Sequence, residues 1–346
     1  MDHRLSTSLL ALSLLGCFGS KDSSNQDSAP PADPLRADLL FVLDSSASMY
    51  DESGFLGLGL GAFADTLPAG ADLHLAVTTV SADPRDDADG DGDIIEPGEV
   101  GTLVSGAAVI STSTSDWVAA LQRVVLCEGT CWPAECSGSQ TEDCVPHDPS
   151  YACGDDPGGT VSAEYLACLC GGGWVSPECG GGNEEGLESA LLALCRAAES
   201  PPESCFDHTG SPLTEADSGT NAGFLRADTS TLVFIVSDEG DNSRALPQGD
   251  EDPHTYLSMF QELNDDLAIA VVGPNYDPEA HTFDCNSGGG TSWGTSRYIA
   301  AAQATGGFFT PIEACTAPNG SCSGDDASYC EVNDFSAVWP LLAELL

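Results

Sequence analysis

The chain has 346 residues, with 55 acidic side chains against 9 basic ones and a formal net charge of −46 at pH 7, and Lys21 is its only lysine. A polyanion of this density is repelled by a phosphate backbone instead of gaining from counterion release, which excludes nucleic acid as a direct partner. Attachment through anionic lipid headgroups is disfavoured for the same reason, and the surface suits a saline or calcium-rich exterior or a face that binds multivalent cations.

At the amino terminus, Leu9 to Leu15 form a short apolar core, far below the ~20 residues needed to span a bilayer. Leu14-Leu15-Gly16-Cys17 has the form of a lipobox, so residues 1–16 are expected to be a lipoprotein signal peptide and Cys17 the lipidated residue. An ordinary cleaved signal peptide is the competing reading. Residues 17–36 are rich in Ser, Asp, Pro and Ala and read as a flexible tether. The lipid would then be the only membrane attachment. It would place the chain in the cell envelope, at the outer membrane, since Phe18 after Cys17 carries no aspartate retention signal.

Cysteine usage agrees. Of fifteen cysteines, removing Cys17 leaves fourteen. Ten fall in one cluster (Cys127, Cys131, Cys136, Cys144, Cys153, Cys168, Cys170, Cys179, Cys195 and Cys205) and four in another (Cys285, Cys315, Cys322 and Cys330). Both clusters are even, which predicts disulfides formed in an oxidising compartment. Zinc is the rival, but no C-x₂-C pair occurs and no histidine follows at finger spacing. Spacing does not fix the connectivity.

The globular part, residues 37–346, opens with the apolar run Asp38-Leu39-Leu40-Phe41-Val42-Leu43, the pattern of a strand buried on both faces of a parallel sheet. It ends in Asp44-Ser45-Ser46-Ala47-Ser48. One carboxylate and two hydroxyls at alternate positions, Asp44, Ser46 and Ser48, are the donors of a cup for a hard divalent cation. An ordinary turn with Ser48 capping a helix has the same letters. A helix is expected near Phe55–Leu67, weakened by Gly57, Gly59 and Gly61, and a second strand over Asp72–Val80. The acidic insertion 81–100 follows. Its Asp87, Asp89, Asp91 and Asp93 match the first part of an EF-hand-type loop, but place twelve is Gly98, with Glu96 early and Glu99 late. A helix-free calcium loop is predicted, against a merely solvated acidic turn.

Leu103–Ile110 is a candidate third, edge strand, and Asp116–Leu126 a helix. The Cys-rich insertion 127–182 lacks periodicity and is expected to be a disulfide-stapled loop beside the metal face, where it would set partner specificity. Gly181-Gly182-Asn183-Glu184-Glu185-Gly186 then opens a helix at Leu187–Leu192. A second buried strand, Thr231–Val236, ends in Ser237-Asp238. A helix at His254–Leu263, a strand at Leu267–Val272, a helix near Ser296–Ala304, a strand at Phe308–Ile312 and a closing helix at Phe335–Leu346 complete the pattern. Alternating strands and helices predict an α/β, doubly wound, mostly parallel sheet with helices on both faces. Asp44 and Asp238 would meet at its carboxyl edge if their strands are neighbours.

On these residues the chain resembles the von Willebrand factor type A (VWA) family over roughly residues 37–346. That family carries a D-x-S-x-S loop after its first strand and an Asp after its fourth, together forming a metal-ion-dependent adhesion site. Asn221 to Arg226, the strand, and Ser237-Asp238-Glu239-Gly240-Asp241 resemble its secreted lipoprotein branch of delta-proteobacterial, myxobacterial type. The resemblance implies that Ser46 and Ser48 bind metal directly, and Asp44 and Asp238 directly or through water. The family's threonine, from a loop of the type G-G-T-N-T-G, is replaced here by Asn183 with Glu184 beside it, which makes the site more anionic and less selective for Mg²⁺ over Ca²⁺. Gly219-Thr220-Asn221-Ala222-Gly223 is closer letter by letter but ranks second, because no helix-length segment separates it from the strand at Thr231.

The implied cofactor is Mg²⁺, or Mn²⁺ or Ca²⁺, with Ca²⁺ at the acidic loop. The implied function is adhesion to a protein or glycan ligand that presents a carboxylate. A calcium-stabilised structural envelope protein without exchangeable ligand is the alternative, and a metal-dependent hydrolase a more distant one. No enzyme is expected. Gly290-Thr291-Ser292-Trp293-Gly294 fits G-x-S-x-G but lacks the buried strand that such an elbow needs, and the histidines form no H-E-x-x-H pair. His74, inside a strand, is expected to be structural.

Overall fold

The computed structural model describes residues 34–46, 49–82, 101–104, 109–133, 145–155, 157, 161–171, 184–206, 211–213, 219–243, 252–274, 276–277, 282–283, 292–312 and 335–346. The expected signal peptide, Cys17, Ser48, the loop from Asp87 to Glu99, and Asn183 lie outside them. So do Cys136, Cys144, Cys179, Cys285, Cys315, Cys322 and Cys330.

In chain order the elements are β1 (Arg36–Leu43), α1 (Tyr50–Thr66), β2 (Asp72–Thr79), β3 (Ile110–Ser111), α2 (Trp117–Glu128), α3 (Ala163–Leu169) and α4 (Gly186–Ala197). They continue with β4 (Ser230–Val236), α5 (His254–Leu263), β5 (Leu267–Gly273), β6 (Tyr276–Asp277), β7 (Thr282–Phe283), α6 (Ser292–Ala304), β8 (Phe309–Pro311), a 3₁₀ turn (Phe335–Ala337) and α7 (Val338–Leu345). Six strands form one sheet in the order β3-β2-β1-β4-β5-β8, and β6 pairs with β7 in a separate ribbon. In the main sheet β3 alone runs antiparallel. The doubly wound, mostly parallel α/β class is therefore as expected.

The strands read as continuous apolar runs because both faces are covered. Leu39, Phe41 and Leu43 of β1 pack with Leu232, Phe234 and Val236 of β4 against α1, α2 and α7. Leu40 and Val42 pack with Val233 and Ile235 against α4, α5 and α6 on the other side. Trp339 of α7 anchors the first layer, its ring centroid 5.5 Å from Phe63 and 5.6 Å from Phe335.

Four expectations need correction. Helix α1 begins at Tyr50 rather than Phe55. One of its glycines is a contact rather than a weakness, since a Cβ on Gly57 would lie 2.5 Å from Leu126 of α2. The edge strand is Ile110–Ser111, not Leu103–Ile110. Side chains satisfy the 101–104 segment instead: Thr78 Oγ1 donates to the Thr102 carbonyl (2.9 Å) and Leu103 N donates to Asn221 Oδ1 (3.1 Å). The Cys-rich insertion is not all loop. It contains α3, capped by Ser162 Oγ, which accepts from Tyr165 N at 3.1 Å.

A satellite core of Leu126, Trp132, Val145, Val161, Ala163 and Leu166 underlies this lobe. A core this small needs staples. Cys127–Cys170 and Cys153–Cys168 supply them, and Cys195–Cys205 ties the end of α4 to the following loop. Cys131 is also disulfide-bonded. The pairs formed among the described residues stay within the first cysteine cluster, as its even count predicts.

Two polar clamps fix the rest. Asn221 is fully buried, and its Nδ2 donates to the carbonyls of Gly101 (2.7 Å) and Ala193 (3.0 Å). With its Oδ1 held by Leu103 N, it joins three distant segments, which is the role of the 219–223 stretch. At the amino edge of the sheet, Arg226 Nε and N donate to Asp38 (2.6 and 2.7 Å), and its Nη2 donates to the carbonyls of Ala37 and Asp72. His74 is structural, its Nδ1 lying 3.0 Å from the Gly223 carbonyl oxygen.

Asn221→Ala strands a buried amide and two carbonyls at once. It is expected to cost about 3 kcal/mol of unfolding free energy, read by denaturant titration, while leaving the sheet's circular dichroism intact.

Candidate metal centre

The sheet order reverses between β1 and β4, and ligands of open α/β sheets gather outside the carboxyl ends of the strands at such a point. β1 and β4 are parallel neighbours with Leu43 opposite Val236, so the residues that follow each strand emerge side by side. Asp44 N still donates to the Val236 carbonyl (2.9 Å), and Ser237 N to that of Val272 (3.1 Å). These bonds fix both loop starts as rigidly as the strands themselves.

Asp44 is 1% exposed. Its Oδ1 accepts from Ser46 N (2.8 Å) and its Oδ2 from Ser237 Oγ (2.7 Å). Burial raises its pKa against these bonds and against contact with the Asp238 carboxyl. Asp44 and Asp238 thus interact across the ends of two neighbouring strands. Glu239 N donates to Ser237 Oγ (3.1 Å), which folds the loop back over the end of β4.

Glu184 comes in from a third segment. Its carbonyl accepts from Asn242 N (2.6 Å), while Glu185 N donates to the Val80 carbonyl at the end of β2 (2.9 Å). Glu184 is 1% exposed, and its carboxyl lies against that of Glu239. Burial, then the negative charges of Asp44 and Glu239, drive its pKa far up. Glu239 is raised too, by burial first and by Asp44. Asp241, buried, is pushed up to about 6 in spite of bonds from Ser243, Leu187 and the charge of Arg297. The Tyr298 hydroxyl is likewise raised well above its ordinary value, by burial and then by Asp241, Asp44 and Glu184.

Of the expected ligands, the structure brings together Asp44, Asp238 and the backbone of Ser46, and sets Glu184 within electrostatic reach of Asp44. Among the described residues no three His, Cys, Asp or Glu side chains gather as one ion-binding group. The expected donor set is a different one, two carboxylates with two hydroxyls. The chemistry here fits a cation. A buried carboxyl in its charged form costs free energy until a proton or a cation reaches it, and Glu184 is such a group within electrostatic reach of Asp44.

Reading the sequence alone missed Ser237 Oγ as the partner of Asp44, and also Glu185, Glu188, Ser243, Arg297 and Tyr298. Arg297 offered a signal, because an arginine is conspicuous in an apolar helix of a chain with 9 basic residues. The G-x-S-x-G letters have a packing explanation at their end. A Cβ on Gly294 would lie 2.7 Å from the backbone of Gly240 and Asp241, so the glycine lets α6 press on the acidic loop.

No family model matches the chain, and no curated protein matches it. Among solved structures it is similar to a von Willebrand factor type A protein from Catenulispora acidiphila, with 11% identity and a TM-score of 0.36 over 88% of this chain. It is also similar to proximal thread matrix protein 1 from the mussel byssus, with 12% identity and a TM-score of 0.30 over 90% of this chain. The chain spans 42% of the length of the first and 48% of the second. The doubly wound class itself stands on the strand order.

The raised carboxyls carry a pH consequence. A carboxyl whose folded-state pKa lies above its unfolded value favours the fold below the unfolded value, and that contribution is lost as pH rises through the folded one. In chelator, the melting temperature should therefore fall between about pH 5 and pH 8, through the value near 6 of Asp241 and towards the higher one of Glu184. Saturating Ca²⁺ should flatten the slope, and Glu184→Gln should flatten it in chelator, as read by differential scanning calorimetry.

Proposed function

We propose that this chain is a cell-envelope lipoprotein whose VWA-like domain binds a divalent cation, Mg²⁺, Mn²⁺ or Ca²⁺, at Asp44, Ser46, Ser48 and Asp238. Through that cation it would hold a carboxylate of a protein or glycan partner. The observation that carries the reading is the meeting of Asp44 and Asp238 at the point where the strand order reverses, with Asp44 locked by Ser46 N and Ser237 Oγ.

When bound, a hard cation supplies positive charge and open coordination places for oxygen donors. The protein's own residues do the rest. Ser46 N and Ser237 Oγ orient the Asp44 carboxylate, the β1 and β4 ladders keep Asp44 and Asp238 adjacent, and burial excludes water from Asp44. The reading assigns coordination and no turnover. The lipid on Cys17 is proposed as the membrane attachment; among the described residues no helix is long and apolar enough to cross a membrane. The loop from Asp87 to Glu99 is proposed as a separate Ca²⁺ site.

A second reading, a calcium-stabilised structural envelope protein without exchangeable ligand, draws support from Glu184. Its buried carboxyl would fill the place that a partner would otherwise take, closing the coordination shell from within.

Asp44→Ala and Asp238→Ala are each expected to weaken cation binding by more than about 100-fold, beyond the about 10- to 100-fold typical of residues that merely support a ligand. Capture of envelope components by the protein, compared in Mg²⁺, Ca²⁺ and EDTA, should fail in both variants and in EDTA. Capture that survives EDTA would sink the adhesion reading, and tight Ca²⁺ binding without any cation-dependent capture would favour the structural one.

A further inference from the structure

Five arginines lie among the described residues, and only Arg297 is fully buried. It rises from α6 beneath the acidic loop. Its Nη1 donates to the carbonyls of Asp241 (3.1 Å) and Ser243 (3.4 Å) and lies 3.8 Å from Asp241 Oδ2. Asp241 Oδ1 accepts from Leu187 N (3.1 Å) and from Ser243 Oγ (2.7 Å). Ser243 Oγ accepts from Glu188 N (3.0 Å), and Asn242 N donates to the Glu184 carbonyl (2.6 Å). From α5, Tyr256 Oη donates to Glu188 Oε2 (3.0 Å).

The loop after β4 and the first turn of α4 are therefore laced together, with one guanidinium below the lacing. Asp241 caps α4 from another part of the chain, where free N–H groups and the helix dipole favour a carboxylate. A buried carboxylate needs a close counter-charge, and Arg297 provides it while also pinning two loop carbonyls. The two ends of the laced segments are Glu184 on one side and Asp238 on the other.

We propose that Arg297 is a positioning residue for the candidate cation centre, setting Glu184 and Asp238 relative to Asp44 by fixing the 237–243 loop on the amino end of α4. The inference rests on the cation-binding reading above. Arg297 acts through Asp241 and Ser243, whose carbonyls it holds. Arg226 is the natural contrast. It braces the opposite, amino edge of the same sheet through Asp38, so it supports the fold without supporting the centre.

The test is isothermal titration calorimetry of the full chain with Ca²⁺ alone, beside melting temperatures in chelator. Arg297→Gln should raise the Kd by about 10- to 100-fold. Arg297→Lys should recover part of that loss, and Ser243→Ala should give a smaller loss in the same direction. Arg226→Lys should lower the melting temperature yet leave the Kd within about twofold of the parent protein. If Arg297→Gln does not fold, Ser243→Ala against Arg226→Lys makes the same comparison. A wild-type Kd in Arg297→Gln, or in Ser243→Ala in that case, overturns the inference alone. Failure of the parent protein to bind Ca²⁺, and Mg²⁺ and Mn²⁺ in parallel titrations, overturns the cation-binding reading and this inference with it.

Discussion

The parallel pairing of β1 with β4 is the contact on which the centre depends. It sets Leu43 opposite Val236, and the ladder continues one residue further through Asp44 N to the Val236 carbonyl. Two carboxylates distant in sequence are thereby delivered to one point by backbone hydrogen bonds, without relying on flexible side chains to find each other. The apolar layers on both faces of β1 and β4 make this register costly to change, because a slip of one residue would turn Phe41 and Phe234 from one layer into the other.

Charge sets the second constraint. Asp44, Glu184, Glu185, Glu188 and Asp241 are all at most 2% exposed, at or near one edge of the sheet. Ionised carboxylates in a dry interior are expensive unless paired, and Arg297 is the buried arginine that faces them. It serves Asp241, and Tyr256 serves Glu188. What remains uncompensated is concentrated at Asp44, Glu184 and Glu239, where pKa values rise together. Among the described residues, the one fully buried guanidinium thus serves Asp241, and the carboxyls around Asp44 are left without a buried arginine beside them.

Much of the architecture was legible in the sequence, for a physical reason. Strands covered on both faces read as unbroken apolar runs, so β1, β4 and β5 were found almost to the residue. The start of α1 was not, since Asp51, Glu52 and Ser53 look like loop letters, and Gly57 makes sense only once Leu126 is seen against it. β3 was misplaced because its two residues have no pattern to read. α3 was missed because seven residues make less than two full turns of period, too few for its small apolar face to be read. In the centre, Asp44 and Asp238 followed from strand ends. The Asp241, Ser243 and Arg297 lacing did not, because it joins segments more than fifty positions apart.

The disulfides described here all lie outside the sheet. Cys127–Cys170, Cys153–Cys168 and Cys195–Cys205 close loops separated by 43, 15 and 10 positions, and none of them links one strand to another. Among the described residues, the strand ladders therefore depend on no disulfide between strands. Oxidation of Cys127–Cys170 and Cys153–Cys168 then hardens a side lobe, while Cys195–Cys205 sits in the second apolar layer, so a chain matured in the wrong redox setting would keep its strand order and lose the lobe's covalent shape.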